Sequence, residues 1–181
     1  MLKDGALKKL PFVKSLEKKG RKMDRLKEKQ VIVSRSFDAP LELLWKAWTE
    51  PQHFMKWYGP KDFTTPSCEL DLKVGGRHLW SMKSPDGRQM YYTGTYKEIV
   101  PMERLVYTDS LSDAEGNVIS PSVMGMPAGS PESMDVTVTF AHENGKTTVT
   151  VSHVGYAEGA DHAGVGWEQA FDKLATVLAE A

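Results

Sequence analysis

Two histidines of this chain lie where the alternation of a predicted strand calls for an apolar side chain. His78 shares one strand face with Trp80 and Met82, and His153 follows two valines on the apolar face of a later strand. A buried imidazole needs a hydrogen-bond partner, and it can orient the polar end of a ligand or exchange a proton. Both histidines are therefore candidate site residues; the alternative is that each is a core histidine whose partner is another part of the chain.

Two carboxylates are also spaced for chemistry. Glu69 and Asp71 are two residues apart on a predicted strand, so both point to the same side of it. Paired carboxylates can carry out acid–base catalysis. Arg35, however, lies on the apolar face of the first strand and needs a carboxylate partner there. We interpret Glu69, Asp71 and Glu98 as candidate members of an ion-pair network around Arg35.

Common catalytic and metal-binding motifs are missing from the sequence. The five histidines are scattered, and there is no H-x-x-x-H, C-x-x-C or G-x-S-x-G pattern. The single cysteine, Cys68, has no adjacent base that could activate it. We therefore predict no catalytic residue, no metal site and no cofactor.

The elements that must position these residues follow a simple order. The sequence predicts one strand, two short helices, six strands and a long C-terminal helix over about 164–180. The first helix has apolar residues at the i, i+3, i+4 and i+7 positions, and the last helix has a similar stripe. A curled seven-stranded antiparallel sheet wrapped around the C-terminal helix would bury both stripes, which predicts an α+β fold.

Charge divides the chain into two parts. Residues 1–30 hold 11 Lys and Arg against 4 Asp and Glu, whereas the rest of the chain holds 12 against 20. We predict a basic N-terminal extension over 1–30 and one domain over 31–181. The extension is interpreted as a solvated tail or as a basic arm for an acidic surface, and translation from Met23 is a third interpretation. Nucleic-acid binding is not favoured.

Composition limits the location and class of the protein. The chain has 181 residues, 40% of them hydrophobic, and no apolar run approaches the roughly 20 residues of a membrane span. One cysteine excludes an internal disulfide and favours a reducing compartment. We predict a cytoplasmic protein with no membrane span.

Spaced motifs across residues 31–181 resemble a known family. They are Arg35-x-Phe37-Asp38-Ala39-Pro40, Trp45-x-Ala47-Trp48-Thr49, Trp57-x-Gly59-Pro60, Glu69-x-Asp71, Gly75-Gly76, Pro85-Asp86-Gly87, Gly94-x-Tyr96-x-Glu98-Ile99, Glu103-Arg104-Leu105 and Gly166-Trp167. The pattern is similar to the activator of heat-shock-protein-90 ATPase homologue family. The resemblance implies the helix-grip fold of START-related ligand-binding proteins, in which the space between sheet and long helix is often hollow.

Strand alternation predicts which side chains would face such a hollow. The candidate ligand-binding residues are mainly aromatic and methionine side chains with the two histidines as polar contacts: His78, Trp80, Met82, Tyr92, Tyr96, Phe140, His153, Trp167 and Phe171. A Gly-, Pro- and Ser-rich connection over 111–133 carries Val123, Met124 and Met126 in its middle. We interpret these three residues as a lid, with a disordered excursion as the alternative.

These observations favour a binding protein over an enzyme. The first hypothesis is non-enzymatic binding of a small apolar, amphipathic or lipid-like molecule between the sheet and the C-terminal helix. The family resemblance implies a co-chaperone-like module with a chaperone partner as an alternative. A cyclase- or hydrolase-type enzyme using His78 and His153 is a second alternative. A homodimer through exposed strands is compatible with each of them.

Overall fold

One strand, two short helices, six strands and a long helix follow one another in the computed structural model, which describes residues 28–126 and 130–181. The strands are β1 (Glu28–Phe37), β2 (Cys68–Leu70), β3 (Arg77–Lys83), β4 (Gln89–Val100), β5 (Arg104–Ser112), β6 (Met134–Glu143) and β7 (Lys146–Tyr156). The helices are α1 (Leu41–Thr49), α2 (Pro51–Phe54) and α3 (Ala157–Ala179), and a 3-10 helix covers Pro121–Met124. The predicted order and the α+β fold class are confirmed.

Two elements differ in length from their predictions. The strand predicted over 63–72 is reduced to Cys68–Leu70, with a separate bridge between Thr64 and Lys83. The last helix begins at Ala157 rather than near residue 164. The predictions for the basic extension fall mainly on residues 1–27, which lie outside the described residues. The proposed domain boundary therefore stays a prediction.

The seven strands form one antiparallel sheet in the order β1-β7-β6-β5-β4-β3-β2. The pairing of β1 with β7 runs from Glu28 opposite Tyr156 to Phe37 opposite Thr147. A two-residue turn joins β6 to β7, and both of its residues, Asn144 and Gly145, have positive φ angles of 52° and 77°. Such a turn matches the right-handed twist of the strands it connects.

Aromatic side chains close one end of the curled sheet. On α1, the ring of Trp48 lies 4.4 Å from that of Trp57, 5.5 Å from Phe140 on β6 and 6.2 Å from Phe171 on α3. The Trp57 indole N–H donates a 3.0 Å hydrogen bond to the Ala47 carbonyl. Since each ring buries roughly 150–250 Å², this cluster anchors α1, α2 and the C-terminal half of α3.

The predicted partners of Arg35 are wrong. Arg35 binds Glu168 at 2.5 Å and Asp172 at 2.6 Å, both on α3. The reason is the strand order: β1 and β2 are opposite edges of the sheet, so Glu69 and Asp71 are far from Arg35. α3 contacts β1 directly and supplies the carboxylates instead.

Lys173 attaches α3 to the segment that follows α2. Its Nζ donates hydrogen bonds to the carbonyl oxygens of Tyr58, Gly59 and Phe63 at 3.1, 3.1 and 2.9 Å. Burial lowers the pKa of the Lys173 ammonium, with a smaller opposing effect from Asp62. The Pro60 carbonyl is a fourth acceptor at 3.4 Å, and the convergence of these carbonyl dipoles on one ammonium fixes the position of this segment relative to the helix.

Among the described residues, no helix combines the length and the apolar character needed to cross a membrane.

We expect Lys173→Met to lower the free energy of unfolding by about 2 kcal/mol, because it keeps the aliphatic stem but removes a charged donor from several carbonyls. Lys97→Met is the matched control, since Lys97 pairs with Asp135 on the exposed surface and its loss should cost less than about 1 kcal/mol. Urea denaturation at pH 7 measures both changes. Equal losses in the two variants would contradict a special role for Lys173.

Candidate functional site

A hollow opens on the concave side of the sheet, beside the N-terminal half of α3. It consists of two adjoining lobes of about 200 and 270 Å³. The lobes share Tyr92, Asp109, Met134, His153 and Ala163. The smaller lobe is bordered by the 121–126 segment, and the larger lobe by residues 58–60 and Trp167. Strands β4 to β7 form the floor of both.

The hollow exists because the inner stripe of α3 changes from large to small side chains. Phe171 and Leu174 are fully buried and fill the space at the aromatic end. Towards the N-terminus of the helix the lining residues are Ala163, Gly166 and Ala170. A Cβ added at Gly166 would meet only the Pro60 side chain, at an ordinary contact distance of 3.7 Å. Trp167 of the same helix borders the larger lobe, but these small residues leave space between the helix and the sheet.

Asp109 is the polar group at the centre of the hollow. It lines both lobes from β5, and within the residues that the structure describes its buried Oδ1 has no hydrogen-bond partner. Burial raises the pKa of this carboxyl to about 8, against a smaller opposing effect of the Ser110 backbone N–H. At neutral pH the carboxyl is therefore mainly protonated, in surroundings that are otherwise largely apolar.

Asp109 was not among the predicted site residues, although the sequence carries a signal for it. Leu105, Tyr107 and Asp109 alternate along β5, and the first two are buried. Period-2 alternation therefore puts the carboxyl on the inward face. Other lining residues not predicted are Tyr58, Met134, Ala163 and Gly166.

His153 lies at the wall between the two lobes. The Trp167 indole N–H donates to its Nε2 at 3.2 Å, so Nε2 is the unprotonated nitrogen of the ring. The Nδ1–H then faces the Val154 carbonyl at 3.4 Å. Burial lowers the pKa of His153, with a smaller opposing effect of the Val154 carbonyl. Both ring nitrogens are engaged, and the imidazole is neutral.

His78 is sealed in the core and lines neither lobe. Its ring stacks on Trp80 with centroids 3.8 Å apart, and its Nε2 donates to the Thr108 carbonyl at 2.8 Å. This direction follows because a carbonyl only accepts, which leaves Nδ1 unprotonated and, among the described residues, without a partner. Burial is the main cause that lowers the pKa of His78 to about 4.

The bond from His78 to Thr108 passes through a gap in the sheet. The β4–β5 pairing is interrupted between Thr93 and Tyr96, and Gly94 faces His78 across β3 and β4. A Cβ at Gly94 would lie 1.7 Å from the Thr108 carbonyl oxygen and 2.6 Å from His78 Nε2. Only glycine at position 94 leaves room for the His78 imidazole, which donates to the Thr108 carbonyl in place of a backbone N–H of β4.

The predicted site residues divide into two groups. Met82, Tyr92, His153 and Trp167 line the hollow, as do Met124 and Met126 of the predicted lid. His78, Trp80, Tyr96, Phe140 and Phe171 are buried in the core away from both lobes. Val123 is 70% exposed and does not line the hollow. Their roles in binding stay predictions.

The described residues contain no group of three or more His, Cys, Asp or Glu side chains placed to hold a metal ion. The hollow itself offers carboxyl, imidazole and thioether groups rather than a ligand set of defined geometry. It is suited to holding an apolar molecule with one polar contact.

Comparison with known proteins gives a family match over most of the chain. A family model described as Activator of Hsp90 ATPase homolog 1-like protein matches residues 38–179. No curated protein matches the chain.

Solved structures share the fold. A protein of Chromobacterium violaceum is 26% identical with a TM-score of 0.66, covering 82% of this chain and 96% of its own. A protein of Nitrosomonas europaea is 22% identical with a TM-score of 0.67, covering 83% and 94%. The AHSA1 protein of Silicibacter pomeroyi is 18% identical with a TM-score of 0.65, covering 83% and 98%.

We expect Gly94→Ala to destabilise the protein by about 3 kcal/mol or more, because the new methyl group would overlap the Thr108 carbonyl and displace the His78 ring. Gly164→Ala on α3 is the matched control, since a Cβ there meets no atom within 4 Å. That change should be neutral or stabilising by up to about 1 kcal/mol. Thermal and urea unfolding compare the two, and a mild effect at Gly94 would show that the strands adjust without loss.

We expect Asp109→Asn to flatten the pH dependence of stability between pH 6.5 and 8. The carboxyl has a pKa of about 8 in the folded state and an ordinary value of 3.8. The stability tied to its proton is therefore present at low pH and is lost as the pH rises towards 8. A difference of one bound proton between pH 6.5 and 8 corresponds to a change of about 2 kcal/mol in the free energy of unfolding.

His78 does not interfere in this window. The pKa of His78 is lowered from 6.5 to about 4. Its contribution to the free energy of unfolding is therefore complete above pH 6.5 and is lost only as the pH falls towards 4. Urea denaturation at several pH values from 6.5 to 8 measures the slope for the wild type and the variant. Identical slopes would mean that Asp109 is ionised in the folded protein throughout.

Proposed function

The chain belongs to the Activator of Hsp90 ATPase homolog 1-like family, and we propose that it binds a small apolar or amphipathic molecule in the two-lobed hollow without transforming it. The observation that carries this proposal is the composition of the walls. Four methionines, Met82, Met124, Met126 and Met134, line the hollow, and the Asp109 carboxyl and the neutral His153 imidazole are common to both lobes. Thioether side chains adapt to irregular apolar shapes and are common at surfaces that accept varied ligands.

The size of the hollow supports the same conclusion. Its lobes of about 200 and 270 Å³ adjoin each other, and small-molecule sites typically begin near a few hundred Å³. Few polar groups face the space, and one nitrogen of His153 is already bonded to Trp167. Affinity would come mainly from burial of apolar surface, at roughly 25 cal/mol per Å².

The 121–126 segment would act as the cover of the site. Met124 and Met126 line the smaller lobe, and Met126 is about half exposed. Ser120 caps the 3-10 helix through the Ser122 N–H, and Gly125 ends it with a φ of 78°. A short helical turn with apolar side chains at the mouth can close over a bound molecule and bury them further.

The alternatives have weaker support. A co-chaperone-like role and a chaperone partner rest on the family description alone, and a homodimer rests on β1 and β2, the two terminal strands of the sheet in the described part of the chain. An enzyme using both histidines would need His78 to reach a substrate, yet its side chain is fully buried and bonded to Thr108. The cytoplasmic location stays a prediction from the single cysteine.

We expect Ala163→Phe to weaken binding of an apolar probe, because a phenyl group at this shared wall would occupy both lobes. Val165→Phe is the matched control, since Val165 is on the same helix but 57% exposed. Fluorescence titration with N-phenyl-1-naphthylamine measures the affinity, and a loss of about tenfold or more is expected for Ala163→Phe alone. Circular dichroism checks that both variants are folded.

Mass spectrometry of organic extracts from the purified proteins gives a second readout. A small molecule that accompanies the wild type and Val165→Phe, but not Ala163→Phe, would support the proposal directly. Equal probe affinity in all three proteins would place the binding elsewhere and contradict it.

A further inference from the structure

The hollow has acidic groups on its walls but no permanent cation. Its ionisable lining side chains, apart from tyrosines, are Asp109, Glu132, His153 and His162, and among the described residues no lysine or arginine lines either lobe. Burial lowers the pKa of His153, and its Nε2 accepts a hydrogen bond from the Trp167 indole N–H, so the imidazole is neutral. A ligand carrying a negative charge would therefore meet one or two carboxyl groups and no cation, which disfavours fatty acids and other anions.

A ligand in the hollow would have to provide a hydrogen-bond partner for the Asp109 carboxyl. Its Oδ1 is buried and, within the described residues, has no hydrogen-bond partner. A buried polar atom without a partner destabilises the protein relative to one that is bonded. Because Asp109 lines both lobes, a molecule in either lobe can reach it.

We propose that the ligand of this hollow carries a basic nitrogen, whose ammonium group pairs with the Asp109 carboxylate while its apolar part lies among the four methionines. The inference rests on the proposed binding function and narrows the class of ligand to apolar amines. An ammonium is the group that turns an unpartnered carboxyl in an apolar site into a charge-assisted hydrogen bond. Glu132 at the exposed edge of the smaller lobe adds a second negative charge that favours a cation.

Binding of such a ligand would be linked to a proton. Below pH 8 the carboxyl holds a proton in the empty protein, so an ammonium ligand binds with release of that proton to solvent. A neutral amine instead takes the proton from the carboxyl and reaches the same ion pair. In both cases one O–H bond breaks at Asp109, and the bound state is ammonium and carboxylate.

The neighbours of Asp109 do not compete for this role. Tyr58, Tyr92 and Tyr107 lie within electrostatic reach, and burial raises the pKa of each, so their hydroxyls stay neutral. On β7, His153 has its pKa lowered by burial. His162 on α3 and Glu132 before β6 complete the ionisable groups that share the hollow with Asp109. Asp109 is therefore the group at which an ammonium can form a buried pair.

The test compares three probes of equal chain length: 1-octylamine, 1-octanol and octanoic acid. Displacement of N-phenyl-1-naphthylamine at pH 8.5 measures their affinities for the wild type. We expect octylamine to bind about tenfold or more tightly than octanol, and octanoate to bind weakest. Between pH 6.5 and 8 the octylamine affinity should rise nearly tenfold per pH unit, because one proton is released.

Asp109→Asn should abolish both the preference for the amine and its pH dependence. Asp135→Asn is the matched control, since Asp135 lies on the neighbouring strand β6 but is exposed and paired with Lys97. It should retain the wild-type preference. Calorimetry in two buffers of different ionisation enthalpy measures the released proton independently of affinity.

Each outcome decides a different point. Equal affinity for octylamine and octanol in the wild type would overturn the amine proposal and leave the apolar binding function intact. Tightest binding of octanoate would overturn it by showing the opposite charge preference. If none of the three displaces the probe, both the amine proposal and the binding function are contradicted for ligands of this size. If Asp135→Asn also lost the preference for octylamine, that preference would come from general surface charge rather than from Asp109, and the amine proposal would be overturned.

Discussion

The concave face of the sheet must be covered, and aromatic rings cover only one end of it. Trp48, Trp57, Phe140 and Phe171 pack against each other there and fix α1, α2 and the C-terminal half of α3. The helix is therefore held at a set distance from the sheet. At its other end, Ala163, Gly166 and Ala170 face inward beside Trp167, and a space remains between the helix and the sheet. The hollow is a consequence of rigid packing beside it.

A second local constraint sets the polar character of the hollow. His78 reaches through the gap at Gly94 and takes the Thr108 carbonyl, which leaves β4 and β5 unpaired over a short stretch. Asp109 is the next residue after this carbonyl. Tyr107 is buried in the core, and by strand alternation the carboxyl of Asp109 is directed to the same inner face. The Ser110 backbone N–H bonds to this carboxyl, but among the described residues its buried Oδ1 has no partner. The buried histidine thus serves to shape the site rather than to line it.

The sequence predicts the elements better than it predicts their distances from each other. Periodicity identified the strands, the aromatic helix and the final helix, because each pattern is local. The partners of Arg35 depend on the order of strands in the sheet, which is non-local, and that prediction was wrong. Alternation places His78 and His153 on the inner face of the sheet, but it does not show whether an inner residue lies in the packed core or beside the hollow. Whether an inner residue packs against an aromatic ring or lines the hollow depends on where the small residues of α3 lie against the sheet. The sequence shows these residues but does not give that position.

Asp109 breaks the rule that inward positions of a buried strand carry apolar side chains. Tyrosine and leucine occupy the preceding inward positions of β5, and a leucine here would add buried apolar area and avoid an unpartnered carboxyl. Both histidines are neutral by burial and by their hydrogen bonds, so the charge at the centre of the hollow depends on this single carboxyl. The inward carboxyl of Asp109 costs stability near neutral pH and lies beside a space that the fold leaves unfilled. Polar groups of this kind are typical of functional sites and are not needed in a packed core. The packing of the fold does not explain the inward carboxyl of Asp109, and this position supports the proposed binding of a molecule in the hollow.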